Sequence, residues 1–180
     1  MLNEIINVSR LTEPAEILEA MRSSIRDTLQ QGKTGERSGM DMVLITLETI
    51  SDQETKVCFA GAKRPLWYIE KNSTTTEVLA GSNVSIGVEY PKKRLIQNHV
   101  ITCAPGTLLY LSTDGFPDQN NIKRKRLGSE ALMNLLYKYH HLPLTAQKQA
   151  LENSLESHMS GTDQRDDILL MGILVSPLNN

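Results

Sequence analysis

The hydrophobic period changes twice along the chain, and this change constrains the fold more than any other feature of the sequence. Residues 40–112 carry short apolar runs separated by turn residues, which is typical of β-strands joined by hairpins. Residues 1–32 and 129–160 instead carry apolar residues at helical spacing, and residues 166–175 add one last strand. Helices confined to either side of a block of strands predict an α+β fold with antiparallel sheets, in a single domain.

The clearest predicted helix covers residues 13–31, with Thr12 as its N-cap, Pro14 in its first turn and Gly32 at its end. Its apolar stripe comprises Ile17, Leu18, Met21, Ile25 and Leu29. The predicted strands before the second helical region cover residues 42–47, 56–60, 66–69, 76–79, 95–102 and 107–112. The last strand, over residues 168–175, is apolar throughout, which predicts a central position in its sheet.

Composition argues against several classes of function. The 180 residues are 39% apolar and 22% charged, as expected of one globular domain. A net charge of −2 and an aromatic content of 4% do not favour nucleic-acid binding or an anionic membrane surface. No apolar run approaches the roughly 20 residues that span a bilayer, and no secretory signal opens the sequence. These features, with two cysteines in strand-like runs, predict a cytoplasmic protein with reduced thiols.

Two apolar strands lie next to carboxylates, and this pattern points to a cation site. Asp114 follows the strand that ends at Ser112, and the pair Asp166-Asp167 directly precedes the last strand. Each feature alone is more typical of a turn or a solvated loop end. Two such strand ends in one small domain favour a site for Mg²⁺ or Mn²⁺, since these ions prefer oxygen ligands.

The residues around these carboxylates fit the same interpretation. Gly115 lets the backbone turn away from Asp114 without a side chain that crowds a metal. The side chains of Asp166 and Asp167 diverge, so that one reaches a metal while the other bonds nearby. Asp118 lies four residues after Asp114 and faces the same site if the loop curls.

Five segments carry a family resemblance, in order: residues 39–45 (GMDMVLI), 59–67 (FAGAKRPLW), 86–88 (IGV), 109–119 (LYLSTDGFPDQ) and 164–170 (QRDDILL). They resemble motifs of the PPM, or 2C-like, metal-dependent protein phosphatases in their bacterial SpoIIE/RsbU branch. The resemblance spans roughly residues 1–175 and implies an α-β-β-α sandwich of two antiparallel sheets flanked by helices.

The resemblance also implies a site and a reaction. Asp114 and Asp166 match metal ligands of the family, Asp118 matches an acidic position near an accessory metal, and Asp167 and Gly115 support the ligands. Family members use two Mn²⁺ or Mg²⁺ ions and a metal-activated water, with no covalent enzyme intermediate. The implied substrate is a phosphoserine or phosphothreonine on a regulatory protein, often an anti-sigma-factor antagonist, in bacterial signal transduction.

The sequence departs from the family pattern near its start. It contains no Asp-Gly-x-Gly-His-Gly motif, whose Asp bridges the two metals in relatives. Residues 1–6 resemble the end of the helix that follows this motif, and Ser38 stands where relatives often have Asp. We therefore expect a domain truncated at its N-terminus, without its first strands and with at most partial metal occupancy. Uncovered sheet edges would invite association, including dimerisation.

Two functional hypotheses follow from this departure. One is the phosphatase, with doubtful activity in this chain, and the other is a non-catalytic module that binds a phosphoprotein or regulator. Gly61, Lys63 and Arg64 are candidates for contact with a phosphate or an acidic partner, although Lys63 and Arg64 also fit a plain surface pair. The basic run 123–126 lacks interleaved aromatic residues, so we interpret it as a solvated loop rather than a nucleic-acid site. No nucleophilic triad or zinc-ligand spacing is evident.

Overall fold

The computed structural model describes residues 2–7, 10–29, 39–90 and 94–177. The predictions for Gly32 and Ser38 lie outside these ranges. The chain divides into two compact units, of which the first comprises residues 1–66 and 79–103 and the second residues 67–78 and 104–179.

The described helices are α1 (Leu2–Asn7), α2 (Pro14–Leu29), α3 (Gly115–Asp118), α4 (Ser129–Tyr139) and α5 (Leu144–Met159). The described strands are β1 (Met42–Ser51), β2 (Glu54–Ala62), β3 (Leu66–Ile69), β4 (Glu77–Leu79), β5 (His99–Cys103), β6 (Leu108–Ser112) and β7 (Leu170–Leu174). They form one antiparallel sheet in the order β1-β2-β5 and a second sheet in the order β4-β3-β6-β7.

In the first unit, the stripe on α2 packs against the three-stranded sheet. Ile17, Leu18 and Met21 share a buried cluster with Ala60 and Ala62 of β2. Because alanine side chains are small, they let the helix approach the sheet closely. Strands β1 and β2 form a hairpin, as predicted for residues 42–47 and 56–60. Strand β5 pairs with the other edge of β2 over Thr55–Phe59.

The start of α2 differs from the prediction. The helix begins at Pro14, so Glu13 rather than Thr12 precedes it, and the N–H of Ile17 donates to the carbonyl of Glu13 at 3.1 Å. The prediction that Thr12 is the N-cap is therefore wrong. Proline suits the first helical position because its φ is already helical and its missing N–H would have no partner there.

In the second unit, α4 and α5 cover one face of the four-stranded sheet. Leu132 and Leu136 of α4 and Leu151 of α5 form a buried cluster with Trp67 and Tyr110 from the strands. Strand β6 is inside the sheet and nearly all buried, and β7 pairs with it antiparallel from Leu170 to Leu174. This arrangement sets Ser112, at the end of β6, opposite the first residue of β7.

The apolar sequence of the last strand predicts a central position in its sheet, and this prediction is wrong. Within the described residues β7 is an edge strand, and its Met171 and Leu174 are 48% and 47% exposed. The sequence pattern measures only whether residues are apolar, and it does not reveal how many neighbours a strand has. The strand predicted over residues 95–102 is also shorter, since its first paired residue is His99.

The fold class is nevertheless confirmed as α+β with two antiparallel sheets and associated helices. Among the described helices, none combines the length and the apolar character that a membrane crossing requires.

Candidate metal and phosphate site

Asp114 lies at the junction between β6 and the short helix α3. Its backbone is already helical, with φ −79° and ψ −12°, and its carbonyl accepts the N–H of Asp118 at 2.8 Å. The Asp114 side chain does not cap this helix. The carboxylate is therefore held at the end of a buried strand without being used to start α3.

The segment that carries Asp114 lies against the segment that follows Asp166. The Thr113 hydroxyl donates to the carbonyl of Asp167 at 3.0 Å and accepts the N–H of Leu169 at 3.0 Å. The N–H of Thr113 donates to the carbonyl of Leu169, also at 3.0 Å. These three bonds hold the segment that carries Asp114 beside the segment that follows Asp166.

Gly115 is required by this contact. A Cβ atom at Gly115 would lie 2.4 Å from the carbonyl oxygen of Asp167, a distance that real Cβ atoms do not reach. The sequence predicts that Gly115 keeps a side chain away from a metal, whereas the close contact found in the structure is with a carbonyl oxygen. The neighbour is the backbone of the second acidic segment.

Asp166 and Asp167 are both exposed, and main-chain bonds order them. One carboxylate oxygen of Asp166 accepts the N–H of Asp167 at 2.8 Å, and the Gln164 amide donates to the Asp166 carbonyl at 2.7 Å. Asp167 contributes its carbonyl to the contact with Thr113. Asp166 thus presents its carboxylate to solvent within a tight local turn.

The Asp118 carboxylate forms an ion pair with an arginine of the same unit. Its carboxylate lies 3.2 Å from a guanidinium nitrogen of Arg126, and the two side chains are 48% and 65% exposed. Exposed pairs of this kind are worth at most about 1 kcal/mol. Arg126 belongs to the basic run 123–126, whose four residues are all exposed, as expected of a solvated loop.

The donor set can be compared with the metals that the family resemblance implies. Mg²⁺ commonly uses one or two carboxylates and completes its shell with water, so Asp114 and Asp166 fit one hard cation. No group of three or more His, Cys, Asp or Glu side chains able to hold a metal occurs within the described residues. These residues therefore do not fit a second cation.

The other candidates, Gly61, Lys63 and Arg64, lie in the first unit around a different acid. The Arg64 guanidinium donates to the Asp41 carboxylate at 3.0 Å, the Lys63 ammonium lies 3.8 Å from it, and the Ser85 hydroxyl donates to it at 2.8 Å. A Cβ atom at Gly61 would lie 2.0 Å from the Arg64 carbonyl oxygen. Gly61 thus makes room for the loop that carries this cluster.

Sequence reasoning assigned no role to Asp41 or Gln119, although both lie in the motif segments. Asp41 is only 25% exposed and anchors the cluster just described. Gln119 is 1% exposed and bonds to the segment that leads to Asp166. A polar residue directly after a short helix gives no local signal of burial, because the partners that fix it lie more than forty residues further along the chain.

Comparisons with known proteins agree with the fold of this chain. The SiaA-PP2C domain of Pseudomonas aeruginosa is 26% identical, with a TM-score of 0.82 over 96% of this chain and 65% of that domain. The phosphatase domain of the cell fate determinant SpoIIE from Bacillus subtilis is 14% identical, with a TM-score of 0.53 over 94% and 77% of the two chains. A structure of the same domain after presoaking with manganese is also similar, with a TM-score of 0.51, 14% identity and coverage of 92% and 74%.

PppA of Pseudomonas aeruginosa, described as a key regulatory component of T6SS, is 15% identical, with a TM-score of 0.50 over 88% and 64% of the chains. No curated protein matches the sequence significantly. The chain spans about two thirds of the length of the SiaA domain. The family described as Stage II sporulation protein E (SpoIIE) matches residues 1–175, and the chain therefore belongs to the SpoIIE family of PP2C-type phosphatase domains.

Proposed function

We propose that the chain is a metal-dependent serine/threonine phosphatase domain that acts on a phosphorylated regulatory protein in the bacterial cytoplasm. The observation that carries this proposal is the contact between Thr113–Gly115 and Asp167–Leu169, which places Asp114 and Asp166 on adjoining segments. Family membership supports the reaction class, and the geometry supports the assignment of these two acids.

In this proposal each residue has a distinct role. Asp114 and Asp166 hold one Mn²⁺ or Mg²⁺ ion, which when bound would act as a Lewis acid and activate a water molecule. Thr113 and Gly115 fix the distance between the two acidic segments. Asp118 and Asp167 supply negative charge and backbone support beside the ligands.

The proposed partner is a regulatory protein that carries phosphoserine or phosphothreonine, of the anti-sigma-factor-antagonist type. The description of PppA as a regulatory component supports a signalling role. Lys63 and Arg64 remain candidates for contact with an acidic partner, since both lie on the loop around Asp41 and Lys63 is exposed.

A second candidate function is a non-catalytic module that binds a phosphoprotein without hydrolysing it. The donor set favours it, because the described residues hold no third ligand and the sequence lacks the Asp-Gly-x-Gly-His-Gly motif. Such a module would retain affinity for the phosphorylated partner while releasing no phosphate.

Hydrolysis of a phosphoserine peptide and of p-nitrophenyl phosphate, measured while Mn²⁺ is titrated, separates these functions. The proposed enzyme releases phosphate in proportion to bound Mn²⁺ and stops when a chelator is added. Asp114→Asn should abolish turnover, whereas Asp41→Asn should leave turnover per folded molecule unchanged. A folded, Mn²⁺-saturated protein without turnover would contradict the enzyme and favour the binding module.

A further inference from the structure

Gln119 is a buried polar residue at the centre of the second unit's acidic region. It directly follows α3, and its side chain is 1% exposed. Its amide nitrogen donates to the carbonyls of Asn120 at 3.1 Å and Asp163 at 3.0 Å. Its amide oxygen accepts the N–H of Arg165 at 3.2 Å. Both amide hydrogens and one lone pair are therefore used.

These bonds join two distant segments of the chain. One segment begins at Asp114 and continues through α3, and the other runs from Asp163 to Asp166. The main chain of Gln119 is fixed as well, since its carbonyl accepts the N–H of Leu127 at 3.0 Å and lies 3.1 Å from Nε2 of His158. Gln119 thus connects a rigid support to the residues directly before Asp166.

The contact made by Thr113 fixes the chain only after Asp166. Thr113 bonds to Asp167 and Leu169, whereas Gln119 bonds to Asp163 and Arg165. Asp166 lies between these two attachment points. With the Gln119 attachment removed, the segment before Asp166 would lose two bonds, and the direction of the Asp166 carboxylate would depend on the local bonds from Gln164 and Asp167.

We propose that Gln119 is a positioning residue that orients Asp166 relative to Asp114 by clamping the Asp163–Arg165 segment. This inference rests on the proposed function, because it assumes that Asp114 and Asp166 bind a cation and that the hydrogen bonds of Gln119 affect that binding. Residues that orient metal ligands commonly change metal affinity about 10- to 100-fold when they are replaced.

Gln147 offers a matched control in the same unit. It is 3% exposed, and its amide nitrogen donates to the carbonyls of His140 at 3.2 Å and Leu142 at 2.8 Å. Its amide oxygen accepts the hydroxyl of Tyr110 at 2.7 Å. The two glutamines thus have similar burial and the same number of side-chain bonds, but two bonds of Gln147 hold the turn between α4 and α5 and the third joins it to Tyr110 of β6.

The experiment compares Gln119→Met with Gln147→Met, since methionine keeps the length of the side chain and removes its polar atoms. Amide hydrogen exchange without metal should show faster exchange of residues 163–167 in Gln119→Met only. Isothermal titration with Mn²⁺ should show affinity that is about 10- to 100-fold weaker in Gln119→Met and close to wild type in Gln147→Met. Urea unfolding should report a similar loss of stability in both variants.

Exchange of residues 163–167 that is unchanged in Gln119→Met, or accelerated equally in both variants, would overturn the proposal. Equal Mn²⁺ affinity of Gln119→Met and wild type would overturn it as well. A wild-type chain that binds no Mn²⁺ would instead contradict the proposed function. The exchange comparison, which needs no metal, would then still decide whether Gln119 holds the segment before Asp166.

Discussion

The two units of the molecule use the acidic residues of their motif segments in different ways. In the first unit, the Asp41 carboxylate is neutralised by Arg64 and Lys63 and bonded by Ser85, so it holds a loop in place. In the second unit, Asp166 is exposed and ordered by main-chain bonds. The comparison indicates that Asp41, which is surrounded by cations, stabilises a loop, whereas Asp166, which is held by main-chain bonds, keeps its side chain exposed to solvent.

The largest loss of stability is expected when Gly61 in the first unit or Gly115 in the second unit is replaced. An added methyl group would meet the Arg64 carbonyl in Gly61→Ala and the Asp167 carbonyl in Gly115→Ala. Because each obstacle is backbone, we expect each substitution to lower the free energy of unfolding by about 3 kcal/mol. Urea unfolding measures this loss, and Mn²⁺ affinity should fall only in Gly115→Ala.

Gly172→Ala is the control for this pair, since its Cβ atom would meet the flexible end of Leu144 at 3.1 Å. We expect a smaller loss of stability there. Wild-type stability of Gly115→Ala would show that Thr113–Gly115 and Asp167–Leu169 are not in contact as described.

Alkaline pH provides a second test, directed at the core of the second unit. Burial raises the pKa of Tyr110 to about 12, and the hydrogen bond to Gln147 offsets this only in part. The unfolded phenol ionises near pH 10, so the folded state loses stability as the pH rises from 10 through 12. We expect a loss of about 2 kcal/mol in urea unfolding over this range.

Tyr110→Phe should lose less stability than wild type over the same range, because it lacks the buried phenol whose pKa is raised. A pH-dependent loss of equal size in Tyr110→Phe would assign the effect to another group.

The acidic residues themselves provide the third test. Asp41→Ala removes the partner of two cations and a hydroxyl, and we expect a loss of about 2 kcal/mol in the free energy of unfolding. Asp166→Ala should change it by less than about 0.5 kcal/mol, because the side chain is exposed. Equal losses in the two variants, measured by urea unfolding, would remove the distinction between the units.

The last test concerns the exposed ion pair of Asp118 and Arg126. Both side chains are about half exposed or more, so Arg126→Ala should cost less than about 1 kcal/mol. Raising the salt concentration should abolish this difference, because exposed charges are screened. A loss above about 2 kcal/mol that persists at high salt would show that Arg126 supports the turn by packing.

Sequence reasoning succeeded where structure is local and failed where it depends on distant partners. The hairpin of β1 and β2, the helix from Ser129 to Tyr139 and the strand from Leu66 to Ile69 follow from periodicity and turn residues. The edge position of β7 does not, because it depends on which strands pair with β6.

The candidate site likewise has features that the sequence predicts and features that it does not. The pattern of strand ends predicts that the segments carrying Asp114 and Asp166 adjoin, but it does not reveal the contacts between these segments. Thr113 bonds to residues more than fifty positions away, and Gln119 to residues more than forty away. Neither a hydroxyl nor an amide signals such partners in the sequence.

The central claim is that Asp114 and Asp166 together hold a divalent cation, and Mn²⁺ binding to the intact chain tests it most directly. Isothermal titration should show that wild type binds one Mn²⁺ ion. The Mn²⁺ affinity should be greatly weakened in Asp114→Asn and in Asp166→Asn, and it should be unchanged in Asp41→Asn. Equal Mn²⁺ affinity of all four proteins would show that the two acidic segments do not form a cation site.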